Sequence, residues 1–318
     1  MSTNKFRLRG MVSRPSVPKA FRGAVPLFYK NVQGVLMIRY ISASDVENAV
    51  RDLFIRANHE LSKDVQLALE NASLYESDHR ASSVINRLSE NAVVAKELGI
   101  PICQDTGMAV VFADVGEDVH ITDATLEEAV NRGVCRAYIE GCMRLSIVSD
   151  PLYERKNTES NTPAILHIRS VKGDRLRIVA APKGFGSENM SALKMMTPAA
   201  TEDDVASFIV DSVRRAGSNP CPPIVVGVGI GADFEGVALL AKRALLREIG
   251  SSNHHPAYAA LEKKILSLIN DLNIGPQGFG GKTTALAVHI EYAPTHIAGL
   301  PVAMNINCHV ARHAEIIL

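Results

Sequence analysis

The sequence predicts an α/β fold, with a helical N-terminal layer followed by a mixed α/β domain. Apolar residues recur at helical spacing in the first part of the chain, from about residue 42 to residue 98. After residue 108, short apolar runs typical of buried strands alternate with longer amphipathic segments, which is the pattern of the α/β class. With 318 residues, 47% of them hydrophobic, the chain can bury a substantial core.

The helical layer is predicted from two periodic segments. Ser42 is a suitable N-cap, and Val46 and Val50 begin an apolar stripe that extends toward residue 61. The second segment covers residues 82–98, and its helical spacing stops at Gly99. Both segments lie before the first cysteine, so we expect them to pack as a layer ahead of the mixed domain.

Strands and helices then alternate. Apolar runs predict strands over residues 108–115, 164–170, 175–181, 224–230, 285–292 and 302–306. Helices are predicted over residues 125–140, 235–249 and 256–271. Cys135 and Cys142 are seven positions apart along the first helical pattern, and because residues i and i+7 share a helical face, we expect both to be buried in the core.

The N-terminal segment differs in composition from the rest. Residues 1–40 carry Lys, Arg and Pro but no Asp or Glu, and the domain proper is predicted over residues 41–318. We interpret the segment as a disordered basic extension. A transit peptide is the alternative, because such peptides are also Arg-rich and acid-free.

Composition excludes several classes of function. Lys and Arg total 34 and so do Asp and Glu, so the basic surplus of a nucleic-acid-binding protein is missing. No apolar run approaches the ~20 residues of a membrane span. Five cysteines without regular spacing do not indicate a disulfide framework, which favours a reducing, cytoplasmic location.

Three cysteines stand out by position. Cys103, Cys221 and Cys308 are far apart in sequence, and each lies beside a proline or at the end of an apolar run. Turns at strand ends can bring such residues together, and three thiolates suit an iron–sulfur cluster or zinc. The spacing matches no local zinc motif, so cysteines that merely fill the core are the alternative.

Two glycine-rich stretches imitate nucleotide motifs. Residues 227–236 follow a predicted strand, but Ala232 replaces the last glycine of the dinucleotide fingerprint. Residues 275–283 end in Gly-Lys-Thr, yet Pro276 stands where the phosphate-binding loop needs its first glycine. Neither stretch predicts a nucleotide site, although main-chain amides at such turns can bind other anions.

Five motifs in order resemble the class I, iron–sulfur fumarate hydratase family. They are PICQDTG at 101–107, KGFGSEN at 183–189, NPCPPIVVGVGIG at 219–231, GPQGFGGKTT at 275–284 and the segment that ends at Cys308. The resemblance runs from about Ile41 to the C-terminus. It is to the N-terminal, cluster-binding half, which is the alpha subunit where the enzyme is split into two chains. One departure is Phe185, where the family usually has a third glycine.

The resemblance implies a site. Cys103, Cys221 and Cys308 would hold a [4Fe–4S] cluster with one iron free to bind substrate. Asp105 is the candidate acid or base, with helix or turn capping as its alternative role. Substrate-binding residues implied by the resemblance are Gln104, Asp105, Arg144, Gly184, Ser187, Glu188, Asn189 and His296. A solvated arginine at Arg144, a plain turn after Gly184 and a structural histidine at His296 are the alternatives.

The expected function is that of the alpha subunit of a fumarate hydratase, which hydrates fumarate reversibly to (S)-malate. The family's further catalytic groups lie in a C-terminal domain, so we expect a separate beta subunit as partner and no turnover by this chain alone. An L(+)-tartrate or related 2-hydroxyacid dehydratase is the first alternative. A metal-binding scaffold without turnover is the second.

Overall fold

The computed structural model describes residues 28–31 and 34–318. The helices are α1 (Ala43–His59), α2 (Lys63–Tyr75), α3 (His79–Leu98), α4 (Leu126–Glu140), α5 (Phe185–Glu188), α6 (Glu202–Ala216), α7 (Phe234–Ala244) and α8 (Pro256–Asn270). The strands are β1 (Phe28–Asn31), β2 (Gly34–Met37), β3 (Arg39–Ser42), β4 (Met108–Gly116), β5 (Val119–Thr122), β6 (Ile165–Val171), β7 (Leu176–Lys183), β8 (Ala192–Met196), β9 (Ile224–Ala232), β10 (Ala285–Thr295), β11 (Leu300–Asn307) and β12 (Ala314–Ile317). The predicted α/β class is confirmed.

The predicted helical layer is present. The Ser42 side chain accepts a hydrogen bond from the Asp45 amide at 3.0 Å and caps α1, whose apolar stripe is buried. The prediction for residues 82–98 corresponds to α3, which ends at Gly99. Helix α2 was missed because it buries few apolar side chains, chiefly Val65 and Leu69, so its periodicity is weak.

Two four-stranded mixed sheets form the rest of the domain. The first has the strand order β12-β7-β4-β6, and α1 and α4 pack against it. In it, β4 is parallel to β6 and antiparallel to β7. The second has the order β10-β9-β11-β8, with β9 parallel to β10 and antiparallel to β11. Each sheet has its own apolar core.

Helices cover both faces of the second sheet. Helices α6 and α8 pack on one face with the side chains of the main core, and α7 packs on the other against β9 and β11. A Cβ at Gly227 or Gly229 would lie 2.2 Å from a carbonyl oxygen of α7, at Ala241 and Val237 respectively. These glycines therefore allow close packing of α7 on β9.

Several boundaries differ from the predictions. Helix α7 ends at Ala244 rather than residue 249, and helix α6 and the short strands β8 and β12 were missed. The core assignment of Cys142 is wrong. Helix α4 ends at Glu140, and Cys142 lies beyond it with a φ of 51° and an exposed side chain, while Cys135 is half-buried.

The predicted N-terminal extension lies largely outside the described residues. Within residues 1–40, the structure describes an antiparallel pair formed by β1 and β2. Strand β3, which begins at Arg39, pairs in parallel with β5. In the described part of the chain, no helix has the length and apolar character needed to cross a membrane.

Candidate functional site

The candidate site lies at the strand ends where the two four-stranded sheets come together. The loop that contains Cys103 precedes β4, and Gly184 follows the antiparallel neighbour β7, with Met108 paired to Lys183. In the second sheet, Cys221 precedes β9 and Cys308 follows the antiparallel neighbour β11, with Asn307 paired to Val225. Antiparallel pairing places the start of one strand beside the end of the next, so each loop pair shares an edge.

Two connections join these edges. The buried Lys183 Nζ, at the end of β7, donates to the main-chain oxygen of Ile306 in β11 at 2.7 Å. The chain that leaves Cys308 crosses to the first sheet, where β12 pairs with β7. Cys103 and Cys308 consequently pack against the same apolar cluster, and charges on both act on Cys221. The structure therefore brings the three predicted cysteines together.

The turn around Cys221 is held by the main chain. Cys221 has a φ of 55°, and its oxygen accepts a hydrogen bond from the amide of His309 at 3.3 Å. Gln277 donates from both its amide and its side chain to the oxygen of Pro222, each at 2.7 Å. These bonds tie the turn before β9 to the residue that follows Cys308, and so set the separation of two cysteines.

The pKa is raised for two of the three thiols, although Cys221 is exposed and Cys308 only partly buried by surface area. Burial raises the pKa of Cys221, and charge on the other two cysteines raises it further. Burial also raises the pKa of Cys308, against a lowering by the Arg312 guanidinium. Since metals bind thiolates, metal binding here would release protons.

The donor set fits an iron–sulfur cluster. Each thiolate of a cluster binds a different iron, so the sulfur atoms need not converge on one point. Among the described residues, no group of three or more Cys, His, Asp or Glu side chains is placed so that it could hold a metal ion. Arg312, which is 4% exposed, has two guanidinium nitrogens without a described hydrogen-bond partner beside these thiols.

Asp105 is oriented by two loops. Its Oδ1 accepts a hydrogen bond from the amide of Gly107 at 3.0 Å, and its Oδ2 accepts one from the amide of Phe185 at 2.9 Å. The amide of Asp105 donates to the Cys103 sulfur at 3.4 Å. A Cβ at Gly184 would approach Asp105 Oδ2 to 3.1 Å, so glycine allows this contact. The carboxylate is thus fixed beside a cysteine, with lone pairs to spare.

Asp105 and Arg144 line one cleft of about 480 Å³, which Phe185 and Arg155 also border. Phe185 is 43% exposed and lines the cleft, so it does not pack behind its loop. The amide of Arg144 donates to Thr106 Oγ1 at 3.0 Å, which ties this segment to the cysteine loop. A small dicarboxylate would fit this volume between Asp105 and a cationic side chain.

Sequence reasoning did not identify Tyr138, whose hydroxyl supports the loop that contains Cys103. The buried Tyr138 hydroxyl lies 2.9 Å from the oxygen of Thr106 and 2.8 Å from that of Gly107, and one proton is shared between them. Burial raises the pKa of Tyr138, so the hydroxyl remains a donor. Its place on α4 suggested only core packing, and no sequence signal pointed to the loop.

Ser187 and Glu188 belong to a buried ionic network. Lys183 Nζ donates to Ser187 Oγ at 3.0 Å and lies 3.3 Å from Glu188 Oε2. Lys242 Nζ contacts Glu188 Oε1 at 2.6 Å, and Asn305 donates to Oε2 at 2.6 Å. Both residues therefore have partners within the chain, which favours a supporting role over direct substrate contact. Asn189 is exposed at the end of α5.

The pKa values of Glu188 and Lys183 are both lowered within this network. Burial raises the pKa of Glu188, but the charges of Lys183 and Lys242 outweigh it and hold the pKa at about 2. Burial lowers the pKa of Lys183 to about 8, although Glu188 opposes this shift. Both groups are thus charged at neutral pH, as a buried ion pair.

The remaining predicted residues are more peripheral. Gln104 is exposed, and its Oε1 is 3.4 Å from the Cys103 sulfur. His296 follows β10 at the opposite end of the second sheet from Cys221, since Ala285 pairs with Ile224 and Thr295 with Ala232. The nine residues of β9 span roughly 30 Å. The structure does not bring His296 to the cysteines within one chain.

The glycine-rich loop at residues 275–284 binds a carboxylate of the same chain. Glu76 Oε2 accepts hydrogen bonds from the amides of Lys282 and Thr283 at 2.8 and 3.0 Å. Burial raises the pKa of Glu76, but amide donors including these two outweigh it and the pKa is lowered. A carboxylate of the same chain occupies the amides that a nucleotide phosphate would need.

Comparisons with known proteins show which family this chain belongs to. The sequence model of the family described as fumarate hydratase (Fumerase) matches residues 47–317. A putative L(+)-tartrate dehydratase subunit alpha from Methanocaldococcus jannaschii is 40% identical over 273 residues, which cover 85% of this chain and 96% of that protein. L(+)-tartrate dehydratase alpha subunits from Escherichia coli O157:H7 and K12 are 31% and 30% identical over 237 residues, or 74% of this chain and 78% of theirs.

These matches show the class of enzyme and the family to which the chain belongs. The chain is a hydro-lyase component, as the family and its relatives indicate. It belongs to the fumarate hydratase (Fumerase) family. The resemblance read from the five motifs is therefore confirmed, whereas fumarate as the particular substrate stays a prediction.

Proposed function

We propose that this chain is the cluster-bearing alpha subunit of a [4Fe–4S]-dependent fumarate hydratase, which interconverts fumarate and (S)-malate together with a separate beta subunit. The observation that carries the proposal is the convergence of Cys103, Cys221 and Cys308 beside Asp105, with Arg144 on the same cleft. The relatives named as alpha subunits support the need for a partner chain. A cytoplasmic location, expected from the cysteines, stays a prediction.

The three cysteines would hold the cluster. When bound, it supplies a Lewis-acidic iron that polarises the hydroxyl and carboxylate of the substrate. The bond between Lys183 and Ile306, and the bond from the His309 amide to the Cys221 oxygen, support this assignment because they join the strand ends that carry these residues. Such connections favour retention of the cluster, because the ligands do not have to be ordered when it binds.

Dehydration of a hydroxy dicarboxylate removes a hydroxyl from one carbon and a proton from its neighbour. Asp105 can take that proton, because two amide donors hold its carboxylate in one orientation while its other lone pairs stay free. Arg144 can bind one carboxylate of the substrate in a bidentate manner. In hydration the same carboxyl group returns the proton to carbon.

L(+)-tartrate is the second candidate substrate. The names of the relatives favour it, whereas the Lys-Gly-x-Gly-Ser-Glu-Asn loop of this chain resembles the fumarate hydratase branch. Tartrate differs from malate by one more hydroxyl, so a site built to bind that hydroxyl would discriminate strongly between them.

The test is anaerobic co-expression with a beta chain, followed by assays with fumarate, (S)-malate and L(+)-tartrate. We expect turnover by the complex, no turnover by the isolated chain, and loss of turnover with unchanged iron content in Asp105→Asn. The matched control is Asp123→Asn, at an exposed turn where asparagine tolerates the φ of 72°. Turnover by the isolated chain at the rate of the complex would refute the need for a partner. Full turnover by Asp105→Asn would refute its catalytic role.

A further inference from the structure

A buried cation follows the third cysteine. Arg312 lies between Cys308 and β12, and its side chain is almost fully buried, with the residue 4% exposed. Its Nη2 donates to the main-chain oxygen of Asp105. Its Nε and Nη1 have no hydrogen-bond partner among the described residues. The Nε and Nη1 atoms together carry three N–H bonds that require an acceptor.

Arg312 also lacks a counter-ion of the usual kind. Among the described residues it forms no salt bridge with a carboxylate, whereas the neighbouring buried cation Lys183 lies 3.3 Å from Glu188. Arginine cannot release its proton at physiological pH, so this charge is permanent. A buried, uncompensated charge is costly, and it persists where another anion compensates it.

The anions that Arg312 faces are those of the candidate site. Its charge acts on the Cys308 thiol, and its Nη2 would lie 3.9 Å from a Cβ at Gly184, next to Asp105 Oδ2. The Asp105 carboxylate is already bonded to two amides. Three thiolates that bind a cluster carry three negative charges into a partly buried site, and they are the remaining partner of matching sign.

We propose that Arg312 is a positioning residue that supplies the counter-charge of the cluster site, with Nε and Nη1 donating to the cluster-bearing thiolate set and Nη2 holding the Asp105 main chain. The inference rests on the proposed function, because it presupposes an iron–sulfur cluster on Cys103, Cys221 and Cys308. It assigns one side chain to two tasks, cluster retention and placement of the candidate base.

The test compares the full chain with Arg312→Gln and Arg312→Lys after anaerobic reconstitution. Iron per chain, the rate of iron release to a chelator and the midpoint potential are measured. We expect Arg312→Gln to release iron about tenfold faster, since hydrogen bonds from a charged group are worth about 1.5–3 kcal/mol. Its potential should move to more negative values, because a nearby positive charge favours the reduced cluster. Arg312→Lys should keep the parental potential and release iron at an intermediate rate.

Arg247→Gln is the matched control for simple loss of a buried arginine. Arg247 is partly buried and bonded to Glu262 and Ile290, away from the cysteines. It should lower the melting temperature without changing the iron release or the potential of folded chains.

The outcomes separate the two proposals. A parent chain that binds no iron overturns the proposed function and this inference with it. A parent with a normal cluster and an Arg312→Gln variant with unchanged release and potential overturns this inference alone. If Arg312→Gln does not fold, Arg312→Lys decides the matter, because a shifted potential in a variant that keeps the charge contradicts the counter-charge role.

Discussion

Replacement of Lys183 by methionine tests whether the buried ionic network supports the site. The Lys183 side chain is 5% exposed, and its Nζ bonds to Ser187 and Ile306 and pairs with Glu188. Removal of one partner of a buried pair costs about 3–5 kcal/mol. Because Lys242 still contacts Glu188 in the variant, we expect the lower end of this range, about 3 kcal/mol in the free energy of unfolding.

The assay is urea unfolding of the full chain followed by circular dichroism, together with iron release after reconstitution. Lys183→Met should also release iron faster, since the bond to Ile306 ties β7 to the strand that leads into Cys308. Exposed Lys264, paired only with Glu202 and Asp203 on the surface, provides the control, and Lys264→Met should leave both quantities nearly unchanged.

A double-mutant cycle with Glu188→Gln isolates the pair. The double variant removes both charges of the Lys183–Glu188 contact and leaves Lys242 without Glu188, as the Glu188→Gln single variant also does. The two losses should therefore not add, with a coupling of about 1 kcal/mol or more. A loss below about 1 kcal/mol in Lys183→Met, or fully additive losses, would contradict the supporting role of the network.

Three further outcomes are expected. The pKa of Glu188 is lowered from 4.5 to about 2, so its contribution to stability is present above pH 4.5 and is lost as the pH falls toward 2. The free energy of unfolding, measured between pH 2 and pH 4.5, should therefore change less with pH in Glu188→Gln than in the parent. An unchanged slope would contradict the pairing. Cys308→Ser should abolish iron retention while Cys142→Ser, at an exposed cysteine, leaves it intact, as iron analysis of purified chains would show; retained iron in the first variant would remove Cys308 from the ligand set. Tyr138→Phe removes a buried hydroxyl donor to the Thr106 and Gly107 oxygens, of which Gly107 keeps its hydrogen bond from Asn161. We expect a cost of about 1–3 kcal/mol in unfolding free energy and slower turnover of the assembled enzyme, and wild-type values in both assays would refute this role.

Local pattern determined a large part of the fold. The apolar stripe of α1 and the stop at Gly99 predicted helices near their observed bounds, because helical periodicity and capping are properties of short segments. The predictions failed for α2, which buries few side chains, and for Cys142, which lies beyond the end of α4 instead of on its buried face.

The sequence by itself also determined the family, since motifs of this length are specific without any geometry, and it predicted the three cysteines as one metal site. Tertiary structure decided which charged groups have partners. Glu188 pairs with Lys183 and Lys242, which its place in the sequence does not show. Glu76, at the end of α2, accepts a hydrogen bond from an amide of the loop that resembles a phosphate-binding loop.

The same holds for distance and exposure at the site. His296 is close to Cys308 in sequence, yet it lies in the connection from β10 to β11, at the end of the sheet opposite to Cys308. Arg312 has no motif to mark it, and only the crossing from β11 to β12 buries its guanidinium against Asp105. These features depend on pairings between residues far apart in the chain, and the free energy of such contacts is not encoded in any single segment.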